Sequence, residues 1–259
     1  MGERYTHGHH ESVLRSHLWR TAENSAGHLL PHLRSGQDLL DVGCGPGTIT
    51  RDLAQRVAPG RVVGIDSSAE VIAQAAAEGG AEFAVGDAYR LDLADESFDV
   101  VHVHQVMHHL TDPVRALTEL RRVLRPGGLL AVRETDYGAY FWEPASAGLD
   151  RWLELYHLVT ARNGAEADAG RHLPSWIRQA GFDELTVSSS NWTFAGPDRA
   201  WWGESWADRV RLSAYATQAV EYGLSTPEEL EDLATAWREW ADAPDALFVV
   251  PHVEVLARA

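Results

Sequence analysis

The stretch Leu39-Leu40-Asp41-Val42-Gly43-Cys44-Gly45-Pro46-Gly47-Thr48 constrains this chain more than any other. An apolar strand runs straight into three glycines at alternate positions, and the helical spacing of Ile49, Leu53 and Val57 begins at once. A strand that ends in so tight a turn and returns as a helix belongs to a βαβ unit, and therefore to a parallel sheet. Glycines in such a turn tolerate positive φ and let a ligand lie close to bare backbone.

The rest of the chain repeats the alternation. Short apolar runs at 38–42, 61–66, 82–85, 100–104 and 129–133 predict strands. Helical patterns fall between them: 48–57, then one opened by the capping-box spacing Ser67-Ser68-Ala69-Glu70 and closed by Gly79-Gly80. A third starts at Thr111-Asp112-Pro113 and ends in Arg122–Arg125 before Pro126-Gly127-Gly128. Ahead of the first strand, Leu14, Leu18, Ala22, Ala26 and Leu30 recur every fourth residue, which predicts one amphipathic helix over 12–30. After 135 the texture changes. Tryptophans crowd beside helical patterns at 149–159, 174–180 and 227–241, with strands expected at 184–189 and 246–256. No low-complexity tract or repeat interrupts this, so a single domain over 1–259 is expected. It comprises an N-terminal helical cover (1–35), a core (36–135), and substrate-side helices with the last two strands (136–259). A helical insertion is expected at about 196–243, between those strands.

Composition narrows the function classes. The net charge of −16 repels phosphate backbones, and the densest basic stretch, Arg121, Arg122 and Arg125, lies at a predicted helix end, where cations suit the helix dipole. Nucleic acid is not an expected partner. No apolar run approaches the ~20 residues of a membrane span, so no membrane partner is expected either. Cys44 stands alone, which excludes an intrachain disulfide and agrees with a cytoplasmic protein. A monomer or homodimer is expected.

Spacing suggests what the turn holds. Asp66 closes the next strand, 19 residues beyond Gly47, where a carboxylate can accept both hydroxyls of an adenosine ribose. Gly86-Asp87-Ala88 follows the third strand, and a carboxylate there can accept from an exocyclic adenine amine. The plain alternatives are a helix cap for Asp66 and a solvated turn for Asp87.

Four blocks in order, LLDVGCGPGT, VVGIDSS, FAVGDAYRLDLADESFDVVHVHQVMHHLTDP and RRVLRPGGLL, resemble the class I methyltransferases that use S-adenosyl-L-methionine (SAM). Within these the chain is most similar to the ubiquinone/menaquinone-biosynthesis type, over about residues 36–135. The resemblance implies a Rossmann-like α/β fold with a seven-stranded sheet whose last strand is antiparallel. It also implies SAM as cofactor and S-adenosyl-L-homocysteine as product. Asp41, Gly43, Cys44 and Gly45 would lie under the methionine and ribose, and Asp66 with Ser67 would meet the ribose hydroxyls. Gly86, Asp87 and Ala88 would meet the adenine, and His104, Gln105 and Val106 would line the methionine side. A nicotinamide-dependent dehydrogenase would want G-x-G-x-x-G under a pyrophosphate, and Asp41 beside the turn disfavours that anion.

Methyl transfer asks the protein to align a nucleophile and exclude water, with a base where the nucleophile is a hydroxyl or an acidic carbon. His104, His108, His109, Glu134, Asp136 and Tyr137 fall at the ends of the fourth and fifth strands. Of these His109, Glu134 and Tyr137 are the expected catalytic groups, His109 foremost because imidazole titrates near working pH. The plain alternative for His108 and His109 is packing at the next helix. No metal is expected: His102 and His104 share a strand face, but no metal-ligand spacing such as H-E-x-x-H is present. Tyr5 and Arg20 are polar groups that an N-terminal cover can direct at the SAM carboxylate, Arg20 in bidentate fashion. Trp142, Trp176, Trp201, Trp202 and Trp206 can line an apolar or aromatic acceptor pocket. The expected function is methylation of a small metabolite. The alternatives are a SAM-binding scaffold without turnover, or methylation of RNA or protein.

Overall fold

The computed structural model describes Thr6, Gly8 and residues 11–259; the side chains of Glu11, Ser12 and Leu14 lie outside the described set, as do Tyr5, His7, His9 and His10. The chain opens with α1 (Glu11–Leu18) and the short α2 (Ala22–Ser25). These replace the single helix expected over 12–30. The break comes at Thr21, whose side chain accepts from the Asn24 backbone while the Asn24 side chain accepts from the Thr21 N–H. That reciprocal cap starts a new helix and turns Trp19 and Arg20 out of helical geometry.

The central strand β1 (Leu39–Val42) is buried on both faces, as a parallel sheet covered by helices requires. It feeds α3 (Thr48–Val57), then β2 (Val62–Asp66), α4 (Ala69–Glu78), β3 (Glu82–Val85), β4 (Phe98–His104), α5 (Pro113–Val123) and β5 (Leu124–Thr135). These strands are mutually parallel in the order β3-β2-β1-β4-β5. Helix α4 is capped by Ser68, not Ser67, so the expected Ser67–Glu70 box does not form. Helix α5 begins at the expected Asp112 cap with Pro113 in its first turn and stops at Val123, within the expected 122–125 end. Leu124 already pairs with Phe98, and a bulge around Gly127 (φ 77°) absorbs the extra residues before Leu129 pairs with Val100.

Beyond β5 come the short β6 (Phe141–Glu143), α6 (Ala147–Arg162), α7 (Ala169–Gln179) and β7 (Leu185–Ala195). Helix α7 starts five residues ahead of Pro174, where the expected helix began, because Leu173 and Ile177 continue one buried stripe through the proline. The helical insertion is α8 (Asp198–Leu212), α9 (Ala214–Glu221) and α10 (Pro227–Asp242). The last strand, β8 (Leu247–Arg258), runs antiparallel between β5 and β7, as expected. Among the described residues the sheet has eight strands and not seven, because β6 pairs with the start of β8 beyond the end of β5.

Two cores cover the sheet faces, one under α5 and α7, the other under α2 and α3. A third, aromatic core joins the insertion to the sheet: Trp152 meets Trp206 at 4.5 Å and Trp237 at 4.8 Å between ring centroids, and Trp152 and Trp237 pack against Phe248 of β8. Truncating one such ring to Ala would cost about 3–5 kcal/mol. The insertion is therefore bound to the sheet by ring packing.

Candidate active site

At the carboxyl ends of the parallel strands lies a cavity of about 840 Å³, toward the upper end of the roughly 300–1,000 Å³ common for small-molecule sites. Its floor at one end is the Gly43–Gly47 turn. Gly43 has φ 71°, and a Cβ there would meet Val106 Cγ2 at 2.2 Å, so only glycine lets β4 close on the turn. Gly45 has φ 53°, and a Cβ there would meet nothing nearer than His17 Nδ1 at 3.7 Å, so its backbone is bare to the cavity. Asp66 binds this turn from β2: its Oδ2 accepts from Gly45 N at 3.1 Å and its Oδ1 from Ser68 N at 3.0 Å. Each carboxylate oxygen keeps a second lone pair for a diol. Asp87 holds the next turn, accepting from Tyr89 N at 2.9 Å.

Apart from Tyr5, which lies outside the described residues, the residues expected at the cofactor line this one cavity: Arg20, Asp41, Gly43, Cys44, Gly45, Asp66, Ser67, Gly86, Asp87, Ala88, His104, Gln105 and Val106. Asp41 also braces the turn through β4 and α3: its oxygens meet His102 Nδ1 at 2.7 Å and Thr50 Oγ1 at 2.5 Å. Burial raises the Cys44 thiol far above its usual range, which keeps it neutral.

Gln105 connects the roof to the sheet. It adopts φ 54°, a strained left-handed conformation for a non-glycine residue. Its Oε1 accepts from Arg20 Nη2 at 2.7 Å, and its Nε2 meets His252 Nε2 at 2.7 Å. His252 Nδ1 donates to the Val250 carbonyl at 2.9 Å, which leaves Nε2 to accept from Gln105. Burial, with Arg133 and Arg20 nearby, holds His252 well below the usual imidazole range. His104 is held low by the same causes, burial first, and neither of its buried ring nitrogens has a protein partner.

The three expected catalytic groups separate. His109 and Tyr137 line the cavity, whereas Glu134 is fully buried behind its wall. Glu134 Oε2 accepts from Met107 N at 2.8 Å, and Oε1 accepts from Thr135 N at 3.0 Å and from His108 Nδ1 at 2.6 Å. A carboxylate only accepts, so Nδ1 of His108 carries a proton, and in the neutral ring Nε2 has the lone pair. His108 itself lines the cavity, and His109 packs on it with ring centroids 3.6 Å apart. The carboxylate–imidazole pair is thus His108–Glu134. The 3-10 turn Met107–His109 brings both imidazoles to the cavity, and of the two it is His108 that is paired with Glu134. Asp136 is removed from the site by Arg171, whose Nε donates to Oδ2 at 2.8 Å. Tyr137, stacked on Tyr156 at 3.9 Å, is pushed up to about 12 by burial, so its phenol stays protonated.

The opposite end is aromatic. Trp202 and Trp206 line it as expected, but Trp142, Trp176 and Trp201 do not. Trp142 stacks on Phe248, Trp176 on His172, and Trp201 packs against Trp19. Their places are taken by Trp19, Trp192, Tyr140 and Val250, with Ser16 and Arg209 beside them. Trp192 carries a sequence signal: it alternates with Ser190 and Phe194 on one face of β7. Among the described residues, no group of three or more His, Cys, Asp or Glu side chains could hold a metal. Arg122 is bonded to Glu119 and Asp95, and Arg125 to Asp38 and Asp99, so two of the three arginines of the densest basic stretch are held in internal ion pairs.

The residues present suit SAM: bare backbone at Gly45, an acid with spare acceptor capacity at Asp66, and no pyrophosphate cradle. The family described as "Methyltransferase domain" matches over residues 40–132. The chain is 31% identical over 277 residues to the probable methyltransferase ltbC of Aspergillus luteorubrus, covering 98% of this chain and 96% of that protein. It is 34% identical over 258 residues to the 27-O-demethylrifamycin SV methyltransferase of Amycolatopsis mediterranei, covering 94% of this chain and 75% of that one. A Haemonchus contortus phosphoethanolamine N-methyltransferase 2 in complex with S-adenosylhomocysteine shares the fold with TM-score 0.54 at 19% identity, over 87% of this chain and 49% of that one. An open α/β sheet with its cavity at a bare glycine turn, matched along nearly its whole length by methyltransferases, makes this chain a member of the class I SAM-dependent methyltransferases.

Proposed function

We propose that the chain methylates a hydroxyl group on a small, apolar or aromatic molecule, using SAM and releasing S-adenosyl-L-homocysteine. One observation carries the reading. A single cavity runs from bare glycine backbone and two carboxylates, Asp66 and Asp87, to a wall of indoles and phenols, with the His108–Glu134 pair on its lining side.

Asp66 would hold the ribose, Asp87 the adenine, and Arg20, oriented by Gln105, the methionine carboxylate. When bound, SAM supplies an electrophilic methyl group on a sulfonium. His108 Nε2 takes the proton from the acceptor hydroxyl, while Glu134 orients the imidazole and stabilises its cation. Tyr137 and Tyr140, both kept protonated by burial, can donate hydrogen bonds to the acceptor and do not serve as its base. Trp19 and Arg20 roof the cavity and exclude water. The relative named for a 27-O-demethylated substrate supports an oxygen acceptor. The lone Cys44 supports a reducing, cytoplasmic setting.

The test is incubation with methyl-labelled SAM and a metabolite extract, followed by mass spectrometry. A labelled small molecule carrying an O-methyl group is expected. Binding of SAM without any labelled product would favour a scaffold, and label in RNA or protein would replace the small-molecule reading.

A further inference from the structure

We infer that His252 of β8 is a positioning residue for the cofactor: by accepting from the Gln105 amide it fixes which way that amide faces, and so aims the Arg20 guanidinium at the place where the methionine carboxylate of SAM arrives. The inference rests on the SAM reading of the cavity. It goes beyond that reading because His252 is fully buried behind the cavity wall and acts through another side chain.

Arg20 Nη2 donates to Gln105 Oε1 at 2.7 Å, and Gln105 Nε2 lies 2.7 Å from His252 Nε2. A guanidinium only donates, so the amide oxygen faces Arg20 and the amide N–H groups face the imidazole. This arrangement requires His252 Nε2 to accept. Two features make it an acceptor. Nδ1 donates to the Val250 carbonyl at 2.9 Å, which fixes the tautomer, and burial beside Arg133 and Arg20 keeps the ring neutral. The ring is also held in place, with Trp192 edge-on at 4.5 Å and His104 stacked at 6.1 Å between centroids. A proton on Nε2 would turn the amide over, with its N–H groups against the guanidinium.

Gln105 takes on backbone strain in this place. Its φ of 54° lies in a region that glycine enters freely and other residues avoid. Val106, next in the chain, closes on Gly43, which has no room for a Cβ there. The same short bend therefore sets the guanidinium of the roof relative to the glycine turn on which the cofactor would lie. Arg20 has other contacts, the face of Trp192 at 5.4 Å among them. What Gln105 and His252 supply is direction, and a bidentate contact between a guanidinium fork and a carboxylate depends on direction.

The experiment titrates the full chain calorimetrically with S-adenosylhomocysteine and with its decarboxylated analogue, S-adenosyl-3-thiopropylamine, which lacks the carboxylate alone. The unaltered chain is expected to bind S-adenosylhomocysteine about ten- to a hundredfold more tightly, the ratio for a charge-assisted contact. His252→Phe keeps a ring between Trp192 and His104 but removes the acceptor. It should cut that ratio about fivefold or more, with affinity for the analogue unchanged. His252→Gln, whose side-chain oxygen can accept in place of Nε2, should keep part of the ratio. Should His252→Phe fail to fold, His252→Leu takes its place. Gln105→Gly should cut the ratio as far and still fold, because glycine adopts that φ without strain. Equal affinity of the unaltered chain for the two ligands, a ratio that survives either the His252 or the Gln105 change, or an equal fall for both ligands overturns the inference. Failure of the unaltered chain to bind either ligand would instead strike at the SAM reading itself.

Discussion

The two ends of the cavity are built by different means. The cofactor end is made of backbone: a glycine turn, two strand-end carboxylates and the peptide groups they hold, all within 36–135. The acceptor end is made of side chains from segments far apart in the chain, with Trp19 from the roof, Trp192 from β7, Trp206 from α8 and Val250 from β8. A backbone-built site depends on short-range order and tolerates few alternatives. A ring-built wall can be re-lined by changing single side chains while the sheet beneath it stands. One fold can thereby retain its cofactor and change its acceptor.

The sharpest way to break this comparison is at the boundary between the ends. His108→Ala should lower kcat by about 10²–10⁴, the range for a positioned general base, with S-adenosylhomocysteine affinity unchanged in calorimetry. A loss of cofactor affinity instead would make the His108–Glu134 pair part of the cofactor end. Next in size, Asp66→Ala should weaken SAM about a hundredfold, the sum of two charge-assisted hydrogen bonds to the ribose. The acceptor wall should be indifferent to that change, which tryptophan fluorescence would report.

A third prediction concerns the layer joining the roof to the sheet. His28 is buried within 3.7 Å of Glu254, and desolvation lowers it from 6.5 to about 4. The unfolded chain therefore takes up a proton between these values that the folded chain refuses. Stability is fully present above pH 6.5 and falls as pH drops toward 4, by up to about 3 kcal/mol from this residue. His104 and His252, also held low, act in the same direction. Thermal midpoints at pH 7.5, 6 and 5 should show the decline, and His28→Leu should flatten it; an unchanged slope would mean that His28 is solvated. The smallest effect is expected for Tyr137→Phe. Its phenol stays protonated, so activity should remain within about threefold, the worth of one neutral hydrogen bond. A fall of two orders of magnitude would move Tyr137 into the proton-transfer chemistry.

The same division explains what was legible beforehand. Gly43, Gly45, Asp66 and Asp87 were readable because a tight turn and a strand end demand particular residues within a few positions. His108 and His109 could not be told apart beforehand, because adjacent residues in a 3-10 turn carry no periodicity that distinguishes their rings; that His108 pairs with the Glu134 carboxylate, 26 positions away, only the fold shows. Trp142, Trp176 and Trp201 looked equivalent to Trp202 and Trp206 in composition, and only packing against Phe248, His172 and Trp19 separates them. The helix over 12–30 was half right. Its apolar spacing holds for Ala22 and Ala26, while the local cap at Thr21 overrode the period and left Leu18 exposed.

From sequence alone came the parallel sheet, the glycine turn and the acids that face it, because each rests on contacts between near neighbours in the chain. Tertiary structure alone decided that His108 meets the Glu134 carboxylate, which indoles line the cavity, and that Arg20 reaches Gln105 and, through it, His252. Those pairings join residues tens to hundreds of positions apart, and only the packed sheet with its helical insertion brings them within hydrogen-bond reach.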